Sequence, residues 1–160
     1  MLSGIIQSNS EVLDFGCGCG LSTLAMGKAF SDSKFYGYDI DQGSIDRAHE
    51  NWLNMGSIEN VKFECQDVSK LNLSEDVKYD VCTLFLTLCN MTHPTKTLKL
   101  AKRFIKENGS VLVLDSDVSP TFNPKATNEF SAVADSVLLH LPWSRPTDGE
   151  LGEEVRVGTL

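Results

Sequence analysis

Apolar residues follow two patterns that alternate along the chain. Short apolar runs predict strands, at residues 12–15, 34–38, 61–65, 77–86 and 110–114. Between them, apolar residues recur every three or four positions, which predicts helices at residues 22–30, 43–55 and 94–106. The fourth run shows no alternation, which is typical of a central parallel strand buried on both faces. The pattern therefore predicts an α/β domain.

A glycine turn joins the first predicted strand to the first predicted helix. It contains Gly16, Gly18 and Gly20, and Asp14 precedes it. Glycines let the backbone approach a ligand closely, and the helix that follows presents its free N–H groups. The dinucleotide fingerprint G-x-G-x-x-G would need a glycine where this chain has Leu21. A carboxylate beside the turn also suits a cationic ligand better than a pyrophosphate.

A second carboxylate stands at the carboxyl end of the second predicted strand. Asp39 follows Gly20 by nineteen positions, which is close to the spacing at which Rossmann-like folds hold ribose hydroxyls. Its two oxygens can accept both protons of a ribose diol. Asp41 is a competitor, but it stands where the next helix needs an N-cap. We therefore favour Asp39 as the ribose ligand.

Residues 14–20, DFGCGCG, resemble the D/E-x-G-x-G-x-G signature of the class I S-adenosylmethionine-dependent methyltransferases. The resemblance extends over residues 11–115, the predicted cofactor-binding core of a single domain at 1–160. It implies S-adenosylmethionine as the cofactor. It also implies a Rossmann-like, doubly wound, mostly parallel sheet with strand order 3-2-1-4-5, lacking the family's usual last two strands.

The resemblance implies a contact for each part of the cofactor. Asp14 would bond the ammonium group of the methionine part, directly or through water, while Ile40 would pack on the adenine. Asp67 would accept from the adenine amine with Val68 against the ring, although an Asp also commonly starts a turn. The predicted cofactor-binding residues are Asp14, Gly16, Gly18, Gly20, Asp39, Ile40, Asp67, Val68 and Phe85.

The methyl acceptor should lie over the carboxyl ends of the central strands, beside residues 87–93. The tetrapeptide of amino-methylating DNA or glutamine enzymes is absent there, and Cys89 lacks the preceding proline of cytosine C5 enzymes. No catalytic residue is therefore identified. If the acceptor needs deprotonation, His93 and Asp115 are the candidate bases, with Asp117 a further one.

Composition limits the partners. A net charge of −8 and an isoelectric point near 4.8 disfavour broad nucleic-acid binding. Basic residues do crowd positions 96–106, but their helical spacing is typical of a solvated face. We therefore expect a small-molecule acceptor. An RNA or protein acceptor is the first alternative.

The five cysteines are odd in number and indicate free thiols in a reducing compartment, so we expect a cytoplasmic protein. Cys17 and Cys19 are too close for a structural zinc pair, and no metal is predicted. Neither a signal peptide nor a long apolar run is visible, so we expect no membrane partner.

The pattern departs from the family after residue 115. A helix is predicted from Asn123 to residue 141 and a loop at 142–149, so that residues 116–160 form a helical and loop segment on the acceptor side. The family's last two strands do not fit there, which predicts an uncovered sheet edge prone to self-association. Two further alternatives are a catalytically silent cofactor-binding or interaction domain and a nucleotide-dependent oxidoreductase.

Overall fold

The computed structural model describes residues 2–70, 78–91 and 93–115. Five strands form one parallel sheet in the order β3-β2-β1-β4-β5, which confirms the predicted strand order. The strands are β1 (Glu11–Phe15), β2 (Lys34–Asp39), β3 (Val61–Cys65), β4 (Tyr79–Phe85) and β5 (Ile105–Leu114). The helices are α1 (Leu21–Ala29), α2 (Gln42–Asn54) and α3 (Pro94–Phe104).

Buried apolar clusters cover both faces of the sheet. On one face, α1 and α2 contribute Leu24, Met26, Ile45 and Ala48 to a cluster with Val12, Phe35 and Phe63. On the other face, α3 contributes Ala101 and Phe104 to a cluster with Leu13, Phe15 and Leu84. The side chains of β1 alternate between the two clusters, as the period of a strand requires.

The predicted junction between the last helix and the last strand is wrong. Helix α3 ends at Phe104 and β5 begins at Ile105, whereas the sequence pattern placed these limits at residues 106 and 110. A long-range contact explains the difference, because the Lys106 ammonium bonds both Asp80 carboxylate oxygens at 2.9 Å. The β4–β5 register shifts at the same place.

Several predictions concern residues outside the described ranges. They are the helix from residue 123, the loop at 142–149, the lack of two further strands, the uncovered sheet edge and the role of Asp117. Within the described ranges, none of the helices has the length and apolar character needed to cross a membrane.

Candidate functional site

The parallel strand order brings the ends of β1, β2 and β4 to one edge of the sheet, and the turn of residues 16–20 lies there. We call this turn the glycine loop. The Gly16 and Cys17 amides donate to the Tyr38 carbonyl at 2.8 and 3.1 Å. From the other side, the Thr87 hydroxyl donates to the Gly16 carbonyl at 3.3 Å. The loop is therefore held between the ends of β2 and β4.

The three glycines of the loop all have positive φ angles, but they differ in what surrounds them. A Cβ on Gly16 would lie 2.5 Å from the Thr87 side chain, and one on Gly20 would lie 2.5 Å from the Phe63 ring. Both positions are thus fixed by packing. Apart from Gly18 itself and its two chain neighbours, no described atom lies within 4 Å of the Cβ position at Gly18. Gly18 is therefore the glycine that borders open space.

Asp39 connects the end of β2 with the glycine loop. Its Oδ2 accepts from the Gly18 amide at 2.8 Å, and its Oδ1 accepts from the Asp41 amide at 2.9 Å. An ionised carboxylate has acceptor capacity for about four hydrogen bonds, so both oxygens can accept further donors. Asp41 itself accepts from the Ser44 amide at 2.7 Å, which confirms that it is the N-cap of α2.

Asp14 is buried beneath the first turn of α1, with 1% of its surface exposed. Its Oδ2 accepts from the Thr23 hydroxyl at 2.5 Å and the Ser22 hydroxyl at 3.2 Å, and its Oδ1 accepts from the Thr83 hydroxyl at 2.7 Å. Burial raises the pKa of Asp14, while these hydrogen bonds oppose the rise. This side chain offers a ligand almost no surface, so its predicted contact with an ammonium group gains no support.

The predicted adenine contacts lie beside Asp39 but differ in exposure. The Ile40 side chain is 70% exposed, so it has surface to offer a ring. The Asp67 carboxylate pairs with the Lys70 ammonium at 2.9 Å, and Val68 packs against the cluster on the α3 face. The Gln66 amide donates to the Asp39 carbonyl at 2.8 Å, which brings this segment to the end of β2.

The end of β4 supplies apolar surface that the sequence analysis missed. Phe85, a predicted contact, is half-buried and packs against the cluster under α1 and α2. The next residue, Leu86, is 58% exposed, has a φ of 54° and donates its amide to the Leu114 carbonyl at 2.7 Å. Leu114 is 60% exposed. A leucine with positive φ is an outlier, and such backbone strain clusters at functional sites.

The two candidate bases follow β4 and β5 at the same edge. The Asp115 carboxylate accepts from the Cys89 amide at 2.9 Å. Partial burial, and then the hydrogen bond and charge of Asp115, raise the pKa of the Cys89 thiol to about 12, which suits a nucleophile poorly. His93 occupies the N-cap position of α3, and its carbonyl accepts from the Thr97 amide at 3.1 Å.

The described residues contain no group of three His, Cys, Asp or Glu side chains placed to hold a metal ion. All five cysteines are free thiols, as predicted.

Two surface cavities, of about 590 and 520 Å³, lie at the opposite, amino edge of the sheet. The first is bordered by Lys34 and Asn60, and the second by Ser10 and Asp80. None of the predicted cofactor-binding residues lines either cavity. The candidate site is instead the carboxyl edge of the sheet, where Asp39, the exposed Ile40 and the glycine loop lie together.

Known proteins are similar to this chain in sequence and in fold. A family model described as a methyltransferase domain matches residues 6–154. An uncharacterized methyltransferase of Schizosaccharomyces pombe is 24% identical over 150 residues, covering 90% of this chain and 54% of that protein. The ribosomal protein L11 methyltransferase of Fusobacterium nucleatum is 35% identical over 108 residues, covering 66% of this chain and 32% of that protein. The ubiquinone/menaquinone biosynthesis C-methyltransferase of Azotobacter vinelandii is 30% identical over 115 residues, covering 71% of this chain and 45% of that protein.

The chain thus spans about half or less of the length of these relatives. Among solved structures, the YcgJ protein of Bacillus subtilis superposes with a TM-score of 0.62 at 23% identity, covering 70% of this chain and 46% of that one. The [4+2]-cyclase SpnF superposes with a TM-score of 0.61 at 23% identity, covering 68% of this chain and 39% of that one. The plantazolicin methyltransferase BpumL, in complex with SAH, superposes with a TM-score of 0.59 at 21% identity, covering 68% of this chain and 40% of that one. These likenesses concern the fold.

Proposed function

The chain belongs to the methyltransferase domain family, and on that premise we propose that it binds S-adenosylmethionine and transfers its methyl group to a small-molecule acceptor. The observation that carries this proposal is the 2.8 Å hydrogen bond between the Asp39 carboxylate and the Gly18 amide. It puts a diol-binding carboxylate beside the loop position that borders open space.

Three features of the carboxyl edge support an adenosyl ligand. Both Asp39 oxygens have acceptor capacity for ribose hydroxyls, and the exposed Ile40 next to them offers a surface for the adenine. The open side of Gly18 leaves room for the part of the ligand that crosses the loop. Asp67, Val68 and Phe85 stay as predictions at the margins of this site.

A dinucleotide suits the same site poorly. Rossmann-type sites bind a pyrophosphate with loop amides and the helix N-terminus. Here the Gly18 amide already donates to Asp39, and the buried Asp14 lies beneath the first turn of α1. A pyrophosphate would therefore lose a donor and approach two carboxyl groups.

The residues of the chain mainly align the reactants and exclude water. When bound, S-adenosylmethionine supplies an electrophilic methyl group on a positively charged sulfur, so little further activation is required. The exposed side chains of Leu86 and Leu114 would meet an apolar part of the acceptor. Asp115 or His93 would accept a proton only from an acceptor that must lose one, and we assign neither as catalytic.

A protein acceptor is the second candidate. The observation that favours it is the 35% identity to a ribosomal protein L11 methyltransferase. The acidic balance of the chain gives no corresponding support to a nucleic-acid acceptor.

We also propose a cytoplasmic location, which the five free thiols support.

Calorimetric titration with S-adenosylhomocysteine tests the cofactor assignment. We expect the wild type to bind it and not NADH, and we expect Asp39→Ala to lose most of this affinity. NADH binding with no S-adenosylhomocysteine binding would overturn the proposal. Transfer of labelled methyl groups into small-molecule, protein and RNA pools then identifies the acceptor class. S-adenosylhomocysteine binding without transfer to any pool would instead indicate a silent cofactor-binding domain.

A further inference from the structure

Helix α2 contacts the glycine loop through a polar side chain. We propose that Asn51 of α2 is a positioning residue, which holds the second half of the loop in its ligand-binding shape through a hydrogen bond to the Cys19 carbonyl. This inference rests on the proposed cofactor binding. It adds to the site a residue that neither the glycine signature nor the spacing of the carboxylates indicates.

The Asn51 side chain reaches the loop across 32 positions of the sequence. Its Nδ2 donates to the Cys19 carbonyl at 2.9 Å, and the residue is partly buried. In the same peptide unit, the Gly20 amide donates to the Cys17 carbonyl at 3.0 Å. The peptide between Cys19 and Gly20 is therefore held at both its oxygen and its nitrogen. It cannot rotate without breaking a hydrogen bond, and that loss is costly for a backbone group.

Packing brings one face of α2 against the loop. Ala48 precedes Asn51 by three positions, so the two side chains share a face of the helix. Ala48 has no exposed surface, and its Cβ lies 3.0 Å from the position that a Cβ on Gly20 would take. The helix is therefore close enough for the short Asn51 side chain to reach the loop backbone.

The start of α2 is bonded to the other part of the candidate site. The Asp39 carboxylate accepts from the Asp41 amide, and Asp41 is the N-cap of α2. Asn51 lies ten residues after this cap, about 15 Å further along the helix. Helix α2 thus connects the carboxylate proposed to bind ribose with the second half of the loop. A rigid helix fixes the distance between these two parts of the site.

The half of the loop that Asn51 holds also contains a free backbone donor. Four of the five loop amides donate within the described part of the chain, those of Gly16, Cys17, Gly18 and Gly20. The Cys19 amide makes no hydrogen bond to any described residue. It is therefore the loop donor that remains open to a ligand, and Asn51 restrains the residue that carries it.

Asn51→Ala tests the inference by removing the side-chain donor. We expect the affinity for S-adenosylhomocysteine, measured by calorimetry, to fall about five- to tenfold. Alanine favours a helix more than asparagine does, so the melting temperature should fall little. Asn51→Asp nearly keeps the size of the side chain, but its carboxylate cannot donate to a carbonyl at neutral pH. It should lose at least as much affinity, and full affinity in either variant would overturn the inference.

Asn60→Ala is the matched control. The Asn60 side chain also donates to backbone carbonyls, those of Gly27, Phe30 and Ser33 at 3.0, 3.2 and 2.7 Å, but it does so at the opposite edge of the sheet. The variant should lower the melting temperature more than Asn51→Ala does and leave the affinity for S-adenosylhomocysteine unchanged. If it weakens the ligand as much as Asn51→Ala does, general destabilisation explains both losses and the inference fails. A wild type that does not bind S-adenosylhomocysteine would instead refute the proposed function.

Discussion

The Oδ2 of Asp39 lies 2.8 Å from the amide nitrogen of Gly18, 21 residues earlier in the chain. One hydrogen bond thus connects the carboxyl end of β2 with the only loop glycine whose Cβ position has no described neighbour within 4 Å. A ligand bonded to Asp39 must therefore pass close to the loop backbone. This coupling predicts that changes at either residue alter ligand affinity.

Asp39→Ala and Asp41→Ala should separate ligand binding from fold stability. The two carboxylates are two positions apart, but Asp41 uses its Oδ2 to cap α2 through the Ser44 amide. We expect Asp41→Ala to lower the melting temperature and to leave S-adenosylhomocysteine affinity nearly unchanged, because the cap faces solvent. Asp39→Ala should show the larger loss of affinity. Calorimetry and thermal unfolding of both variants check this, and equal affinity losses would contradict the assignment of the ribose to Asp39.

Alanine at Gly20 should mainly lower the stability of the fold, whereas alanine at Gly18 should mainly lower the affinity for the ligand. Gly18 and Gly20 have φ angles of 54° and 76°, so each alanine variant carries strain of about 1–2 kcal/mol. At Gly20 the new methyl group would also overlap the Phe63 ring, which adds about 1–3 kcal/mol of overpacking. At Gly18 it would project into the space proposed for the ligand.

We therefore expect Gly20→Ala to be the less stable variant and Gly18→Ala to be the one that folds but binds S-adenosylhomocysteine weakly. Denaturant unfolding and calorimetry measure the two effects. Phe63→Leu combined with Gly20→Ala should recover part of the stability, because it removes the overlapping ring atoms. Full affinity in Gly18→Ala would show that the ligand does not cross the loop at this position.

The sequence predicted those features that depend on local pattern. Strand order, the glycine turn and the cap at Asp41 follow from periodicity, spacing or the family resemblance, and the structure confirms them. The family match over residues 6–154 confirms the family that residues 14–20 suggested. Asp39 was predicted as a ligand residue, but its bond to Gly18 was not.

The features that were missed depend on contacts between distant residues. The hydrogen bond from Thr83 to Asp14 arises from packing across β1 and β4, although a hydroxyl inside an apolar strand was a signal that a partner was needed. The start of β5 was misplaced because Lys106 pairs with Asp80, 26 residues away. The left-handed backbone of Leu86 has no sequence signal, since leucine rarely adopts it.

The Asp80–Lys106 pair should give a small, pH-dependent contribution to stability. Burial raises the pKa of Asp80, but hydrogen bonds from the Glu11 amide and the Lys106 ammonium outweigh it, so the pKa lies below its usual value of 3.8. Such a group stabilises the fold above pH 3.8, and its contribution is lost as the pH falls through the lower folded value. Both side chains are partly exposed, so removing the lysine should cost under about 1 kcal/mol.

Lys106→Met should therefore lower the free energy of unfolding at pH 7, and the difference from wild type should shrink below pH 4. Urea unfolding at a series of pH values measures it. Lys99→Met, at an exposed lysine of α3, serves as the control and should show no such pH dependence. A difference that does not shrink at all as the pH falls below 4 would mean that Lys106 acts through packing of its aliphatic chain.

The Cys89 thiol should react slowly with alkylating reagents despite its exposure. Its pKa is raised from 9.0 to about 12 by partial burial, then by the hydrogen bond and charge of Asp115. The thiolate is the reacting form, and with this pKa little of it is present at pH 8.

Asp115→Asn tests the cause of the raised pKa. It removes the charge but not the burial, so the pKa of Cys89 should fall part of the way. We expect the rate of Cys89 alkylation by iodoacetamide at pH 8 to rise several-fold, measured by mass spectrometry of the peptide. Cys65, on the far edge strand β3, provides the internal control and should react at the same rate in both proteins. An unchanged Cys89 rate would place the Asp115 carboxylate away from the thiol, and Asp115 would then no longer border the acceptor side of β4.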